Sequence, residues 1–177
     1  MAHLLAVSAL VLEHGGTEDE AIAALLHDAL EDAPDQEEAD RRREEIRQRF
    51  GEGVLGIVEA CTDAEPAEKQ RERTPDETLR MERWRARKAR YLGHLRDAPG
   101  PVVLVCAADK VHNAAAIVRD LRAVGASVFD RFTAKRDGTL WYYEQVLAAL
   151  EKRVGEEPRI AALVWELSRL VEEMGAG

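Results

Sequence analysis

Cysteine is nearly absent from this chain: Cys61 and Cys106 are the only two in 177 residues. Both lie in apolar, helix-patterned text and share no spacing of the metal–thiolate kind, which points to buried free thiols in a reducing, cytoplasmic setting. A basic excess is absent too. Against 34 Asp and Glu stand 25 Lys and Arg, for a net charge of -9. That balance argues against a nucleic-acid or membrane-surface binder, and leaves room for a small anionic substrate in a local basic pocket. No apolar run approaches the roughly 18 residues that cross a bilayer. The apolar opening, Met1 to Leu12, has no basic leader and no clear small-residue cleavage site, so it does not read as a signal peptide. It begins abruptly inside a helical pattern, and an upstream segment is expected to be missing. Strand-period alternation, internal repeats and low-complexity linkers are likewise absent.

What remains is helix. Hydrophobic residues make up 46% and charged residues 33% of the chain, as suits one all-α domain over residues 1–177 with a real core. An apolar helix over about His3–Glu13 stops at Gly15-Gly16. Thr17 and Glu20 form a capping box for the next helix, which is predicted to run through His27-Asp28 to about Pro34. A charged helix (about Glu37–Phe50), Gly51 and an apolar helix (Val54–Cys61) follow. Ala64–Asp76, with Pro66 and Pro75, reads as an exposed loop. Further helices are predicted at about Glu77–Leu95, Val102–Val124 (opened by Pro101), Thr139–Arg153 and Arg159–Met174, with an irregular stretch from Gly125 to Gly138.

Two charged islands interrupt apolar helical text. The first is Ala23-Ala24-Leu25-Leu26-His27-Asp28-Ala29-Leu30-Glu31-Asp32, the second Ala107-Ala108-Asp109-Lys110-Val111-His112-Asn113. An imidazole and carboxylates placed after such core segments require partners, and one shared metal ion would serve both islands. On a helix, His27 and Glu31, and Asp28 and Asp32, stack as adjacent stripes. Asp109, after seven small or apolar residues, is expected to be buried and to need a cation or several donors. His3 could add a second nitrogen, and Asn113 shares the face of Asp109. Two imidazoles and two carboxylates suit manganese, iron or zinc better than calcium.

Plainer readings stand beside these. His27-Asp28 also fits a hydrogen-bonded pair at a helix end, Asp109-Lys110 a local ion pair, and His14, His94 and His112 surface or core histidines. On the Leu79–Leu95 helix, Met81, Trp84, Leu92 and Leu95 form an apolar stripe with Lys88 near its centre. Such a lysine either snorkels or meets an anion, with Arg85 at the stripe's edge to assist it. Arg80, Arg83, Arg87, Arg90 and His94 read as a solvated face.

The Ala-Ala-Leu-Leu-His27-Asp28-x-x-Glu31-Asp32 block, the Phe50-Gly51 step, Arg87-Lys88 and Ala108-Asp109-Lys110-x-x-Asn113 resemble the HD-domain phosphohydrolases. Within these, the set is most similar to the SpoT/RelA hydrolase domain and the stand-alone small alarmone hydrolases, over most of the chain. The resemblance implies a helical bundle around a single metal, usually manganese, with His3, His27, Asp28 and Asp109 as ligands. It further implies that Glu31 and Asp32 position or deprotonate the attacking water. Lys88 and Asn113 match positions near the substrate, and Tyr142 falls where the family places an aromatic near the nucleotide, although it equally fits a core role. The implied reaction removes the 3′-pyrophosphate of guanosine tetra- or pentaphosphate. Two alternatives remain: a related phosphohydrolase acting on a nucleoside monophosphate or NADPH, or a helical module that senses a nucleotide without turning it over. The family also carries a basic helix before its first metal-binding histidine, and here His3 stands almost at the first residue.

Overall fold

The most apolar helix of the sequence becomes the centre of the fold. The computed structural model describes residues 1–72 and 74–177. Its helices are α1 (Ala2–Glu13), α2 (Glu18–Leu26), α3 (Gln36–Cys61), α4 (Pro66–Glu72), α5 (Glu77–Asp97), α6 (Gly100–Val124), α7 (Lys135–Glu151) and α8 (Ala161–Ala176). Short 3₁₀ turns at Gly125–Arg131 and Pro158–Ile160 lead into α7 and α8. Among the described residues there is no strand, as the absent period-2 pattern implies.

Helix α6 buries Val102 through Asp109 without a break and packs against α1, α2, α3, α7 and α8. By length and composition the segment Gly100–Arg131, of mean hydropathy 1.4, could cross a membrane, which the expectation of no sufficiently long apolar run missed. In this fold 67% of its most apolar window is buried among the other helices. A second, smaller cluster (Ala23, Leu30, Ile46, Val54, Leu55, Val58) joins α2 and the residues after it to α3.

Three local expectations are corrected. Helix α2 stops at Leu26, and residues 27–32 form successive turns with Ala29 N–H donating to the Leu26 carbonyl (2.8 Å) and Asp32 N–H to that of Asp28 (2.8 Å). The cause is local: His27 Nδ1 lies 2.7 Å from the Ala24 carbonyl, the acceptor that the next helical N–H would have used. The two helices expected on either side of Gly51 are both present within α3, which breaks at that residue, whose φ of 87° a side chain would resist. The Ala64–Asp76 loop holds α4, tied down by buried Ala64 and Pro66, while Arg73 lies outside the described residues. The stretch after Gly125 is ordered by buried Val128 and Phe129, and α7 begins at Lys135.

The Thr17–Glu20 capping box forms as the sequence indicates: Thr17 N–H donates to Glu20 Oε2 (2.6 Å) and Glu20 N–H to Thr17 Oγ1 (3.3 Å). Arg159, before α8, reaches both Glu20 carboxylate oxygens at 3.0 Å and so ties the two ends of the chain together. Burial raises the Glu20 pKa, but Arg159 and Thr17 outweigh it and hold the group below the ordinary carboxylate value.

Two outcomes are expected. Leu104, fully buried in α6, should cost about 2–5 kcal/mol when replaced by Ala, read by denaturant unfolding. Because Glu20 is depressed on folding, its contribution is present above the ordinary carboxylate pKa and is lost as pH falls through the folded value. Glu20→Gln should therefore be less stable at neutral pH and lose less on acidification than the parent chain in thermal melts.

Candidate functional site

Three elements bring the charged islands together. Helix α1 contributes His3, the turns after α2 contribute His27 and Asp28, and α6 contributes Asp109. His3 Nε2 lies 3.2 Å from Asp109 Oδ1 and 3.7 Å from Asp28 Oδ2. His27 Nε2 lies 3.2 Å from Asp28 Oδ1 and 3.4 Å from Asp109 Oδ1. Ligand atoms of His3, His27 and Asp28 all fall within 4.8 Å of one another, the spacing of donors around one ion.

The donor set fits a divalent metal. His27 Nε2 is fully buried and, among the described residues, has no hydrogen-bond partner, although two carboxylates face it. Its Nδ1 is fixed on the Ala24 carbonyl, the backing that orients a metal-binding imidazole. Burial lowers the pKa of His27, yet the Asp109 and Asp28 carboxylates raise it to about 9. A field that retains a proton so strongly favours any cation at that nitrogen. Asp28 is shifted upward, first by burial and then by the carboxylates of Asp109, Glu31 and Asp32 against the pull of His27. A cation between the Asp28 and Asp109 carboxylates and the two imidazoles would relieve this crowding of negative charge.

Asp109 is held on every side. Lys110 Nζ donates to Oδ2 (2.7 Å), and Asn113 Nδ2 donates to Oδ1 (2.6 Å). Burial would raise its pKa, but the Lys110 ammonium and the two imidazoles keep it well below the usual carboxylate range. Lys110 in turn lies over the rings of Tyr91 (5.2 Å) and Tyr142 (5.9 Å).

Lys110 and Asn113 also line a cavity of about 470 Å³, together with Arg87, Lys88, Arg131, Trp84, Tyr142 and Tyr143, among others. Lys88 and Arg87 both bind Asp63 Oδ2, and Lys88 lies 4.5 Å from the centre of the Tyr142 ring. Burial, with the charges of Lys110 and Arg87, lowers the Lys88 pKa despite Asp63. The Tyr142 hydroxyl is buried with no hydrogen-bond partner among the described residues. Burial raises its pKa further, so it stays protonated and able to donate.

Not every expected residue joins the site in the expected way. Arg85 is exposed, its guanidinium 5.1 Å from the centre of the Trp141 ring, and it does not line the cavity. The place beside Lys88 belongs to Arg87, which the helical pattern assigned to a solvated face. The reason is Asp63, whose carboxylate draws Arg87 inward. Glu31 and Asp32 do not continue helical stripes, because they sit in turns. Glu31 is paired with Lys69 of α4 (3.0 Å), whose ammonium also donates to the Glu31 carbonyl (2.9 Å), and Asp32 is exposed.

Two residues that sequence reasoning passed over belong here. Asp63 orders the cationic wall of the cavity, and only the fold places it opposite α5. His112 Nδ1 lies 2.8 Å from His3 Nδ1, which leaves His3 Nε2 facing the carboxylates. The signal for His112 was its position one turn from Asp109 on the same helix. If His112 orients His3, His112→Ala should weaken divalent-metal binding about 10-fold or more in calorimetric titration, with little change in helicity. An unchanged affinity would remove that role.

A family model described as HD domain matches residues 1–140. No curated protein matches the sequence. Among solved structures, the chain is similar to the crystal structure of lmo0812 from Listeria monocytogenes EGD-e, with 25% identity, a TM-score of 0.73, and 99% of each chain covered. HD domains bind divalent metals and are generally metal-dependent hydrolases, which agrees with the His/Asp cluster. With most of its length matched and its fold shared, the chain belongs to the HD domain family.

Proposed function

We propose that this protein is a manganese-dependent phosphohydrolase that removes the 3′-pyrophosphate of guanosine tetra- or pentaphosphate, releasing pyrophosphate and GDP or GTP. One observation carries the reading. The His/Asp cluster and the cationic, aromatic cavity are joined through α6, where Lys110 and Asn113 bind Asp109 and also line the cavity. A compound with clustered phosphates and an aromatic base matches that pairing, and the motif resemblance to the alarmone hydrolases narrows the class further.

In this reading His3, His27, Asp28 and Asp109 hold the metal, which would supply charge neutralisation and a bound water of lowered pKa. Lys88, Lys110 and Arg87 bind phosphate oxygens, and the ammonium and guanidinium beside Asp63 stay oriented while they do so. Asn113 and the Tyr142 hydroxyl donate to the ribose or a phosphate, and Trp84, Tyr142 and Tyr143 contact the flat parts of the nucleotide. Water attacks the phosphorus attached to the ribose 3′ oxygen. Glu31 or Asp32 takes the proton, the bond from phosphorus to the 3′ oxygen breaks, and that oxygen leaves protonated. Lys69 keeps Glu31 near Asp28 by holding both its carboxylate and its carbonyl.

The first test strips the protein with chelator, reloads it with manganese, and measures phosphate and pyrophosphate release from guanosine tetraphosphate, NADPH and common nucleotides. Manganese-dependent pyrophosphate release from the tetraphosphate is expected. Release of phosphate from another nucleotide would move the substrate, and no release with metal bound would favour a sensing role. The Glu31→Gln, Asp32→Asn double variant should keep its metal while kcat falls about 100-fold or more, and full activity would remove these residues from the chemistry. Lys88→Met should raise KM more than it disturbs folding, and a large loss of thermal stability with unchanged KM would remove the phosphate-binding role.

A further inference from the structure

The two cysteines, 45 residues apart in sequence, meet in the fold with their Sγ atoms 3.5 Å apart. Cys61 is the last residue of α3, and Cys106 lies in α6 one turn before Asp109. Cys106 is only 2% exposed, whereas Cys61 is partly exposed. The Tyr91 hydroxyl donates to the Cys106 sulfur at 3.2 Å. Nothing in the hydrolase chemistry uses either thiol.

Their surroundings make the contact more than packing. A disulfide requires sulfurs about 2.05 Å apart, so the pair must close by about 1.5 Å. Cys61 stands at a helix end: α3 stops there, and Thr62 leaves the helix in an extended conformation (φ −69°, ψ 113°). Cys106 is fixed in the middle of the central helix. Two residues past Cys61 stands Asp63, which holds Lys88 and Arg87 at the cavity wall. The Tyr91 ring that approaches Cys106 also carries the Lys110 ammonium. A covalent bond drawing the end of α3 onto α6 would thus move the residue that orders the cationic wall.

We propose that Cys61 and Cys106 form a reversible oxidation site in which a hydroperoxide converts the dithiol into an intramolecular disulfide beside the active cavity. The Cys61 sulfur attacks the distal peroxide oxygen and the O–O bond breaks, giving a sulfenic acid on Cys61 and an alcohol, or water from hydrogen peroxide. The Cys106 sulfur then attacks the Cys61 sulfur, and the hydroxyl leaves as water with the Cys106 proton. Two thiols lose two electrons and two protons, and the peroxide is reduced by the same amount. Partly exposed Cys61 meets the oxidant, and buried Cys106 is within reach to resolve it before further oxidation. The bond shifts Asp63 away from Lys88 and lowers turnover several-fold, a consequence that rests on the hydrolase reading, whereas the bond itself does not.

The test uses the full, metal-loaded chain treated with hydrogen peroxide, denatured in N-ethylmaleimide and weighed intact. The expected product is a monomer about 2 Da lighter that takes up no label, yields one cross-linked peptide pair containing Cys61 and Cys106, and regains two labelled thiols after dithiothreitol. Retention of two labelled thiols, a gain of oxygen on a single sulfur, or a disulfide between chains would each overturn the site. Cys61→Ser, checked for unchanged helicity, should show neither the cross-link nor a reversible loss of turnover. A disulfide that forms without changing turnover in an active protein would refute its coupling to the cavity and leave the hydrolase reading intact.

Discussion

Asp109 sits in the most apolar helix of the chain, where a carboxylate without partners would be strongly unfavourable. Much of the site follows from satisfying it. Lys110 and Asn113 reach it along α6 itself, and His3 and His27 approach from two other elements. Because Asp109 stands among Val105, Ala107, Ala108 and Val111, all buried, its position is as rigid as the core. The imidazoles that face it inherit that rigidity.

The charge distribution has two poles on one helix. Toward α1 and the turns after α2 lie Asp28, Asp109, Glu31 and Asp32 with two imidazoles, a place for a cation. Toward α5 and α7 lie Lys88, Lys110, Arg87 and Arg131 with aromatic rings, a place for an anion. Lys110 and Asp109 are sequence neighbours at the boundary between them. A chain with a net charge of -9 can therefore attract phosphate locally, since the cations of the cavity are close together and partly desolvated. Asp63 belongs to this balance, because it holds two like charges side by side.

Much of this was legible in the residues. The absent strand period and the long apolar stretches indicated helices, and most helix positions follow from capping residues, glycines and prolines, as Thr17 and Glu20 illustrate. His27-Asp28 and Asp109 could be singled out because charged groups in apolar text need partners. What was read wrongly involves competition that a helical projection leaves out. His27 captures the carbonyl that would have continued α2, so Glu31 and Asp32 lie in turns and not on helical stripes. The helical projection set Arg85 at the edge of the apolar stripe and Arg87 on the solvated face, and the outcome was decided by Asp63 and Trp141, which lie on other elements.

The sequence by itself determined the helical class, the strongly apolar character of α6 and the residue types that could bind a cation, because periodicity, capping and burial of charge act over a few residues. Tertiary structure decided which of those residues meet. It paired His112 with His3, brought Asp63 under Lys88 and Arg87, and set Cys61 against Cys106. Each of these contacts joins residues that are distant in the chain or lie on different helices. Their approach is fixed by how helices pack around a common core, and no local pattern of the sequence records it.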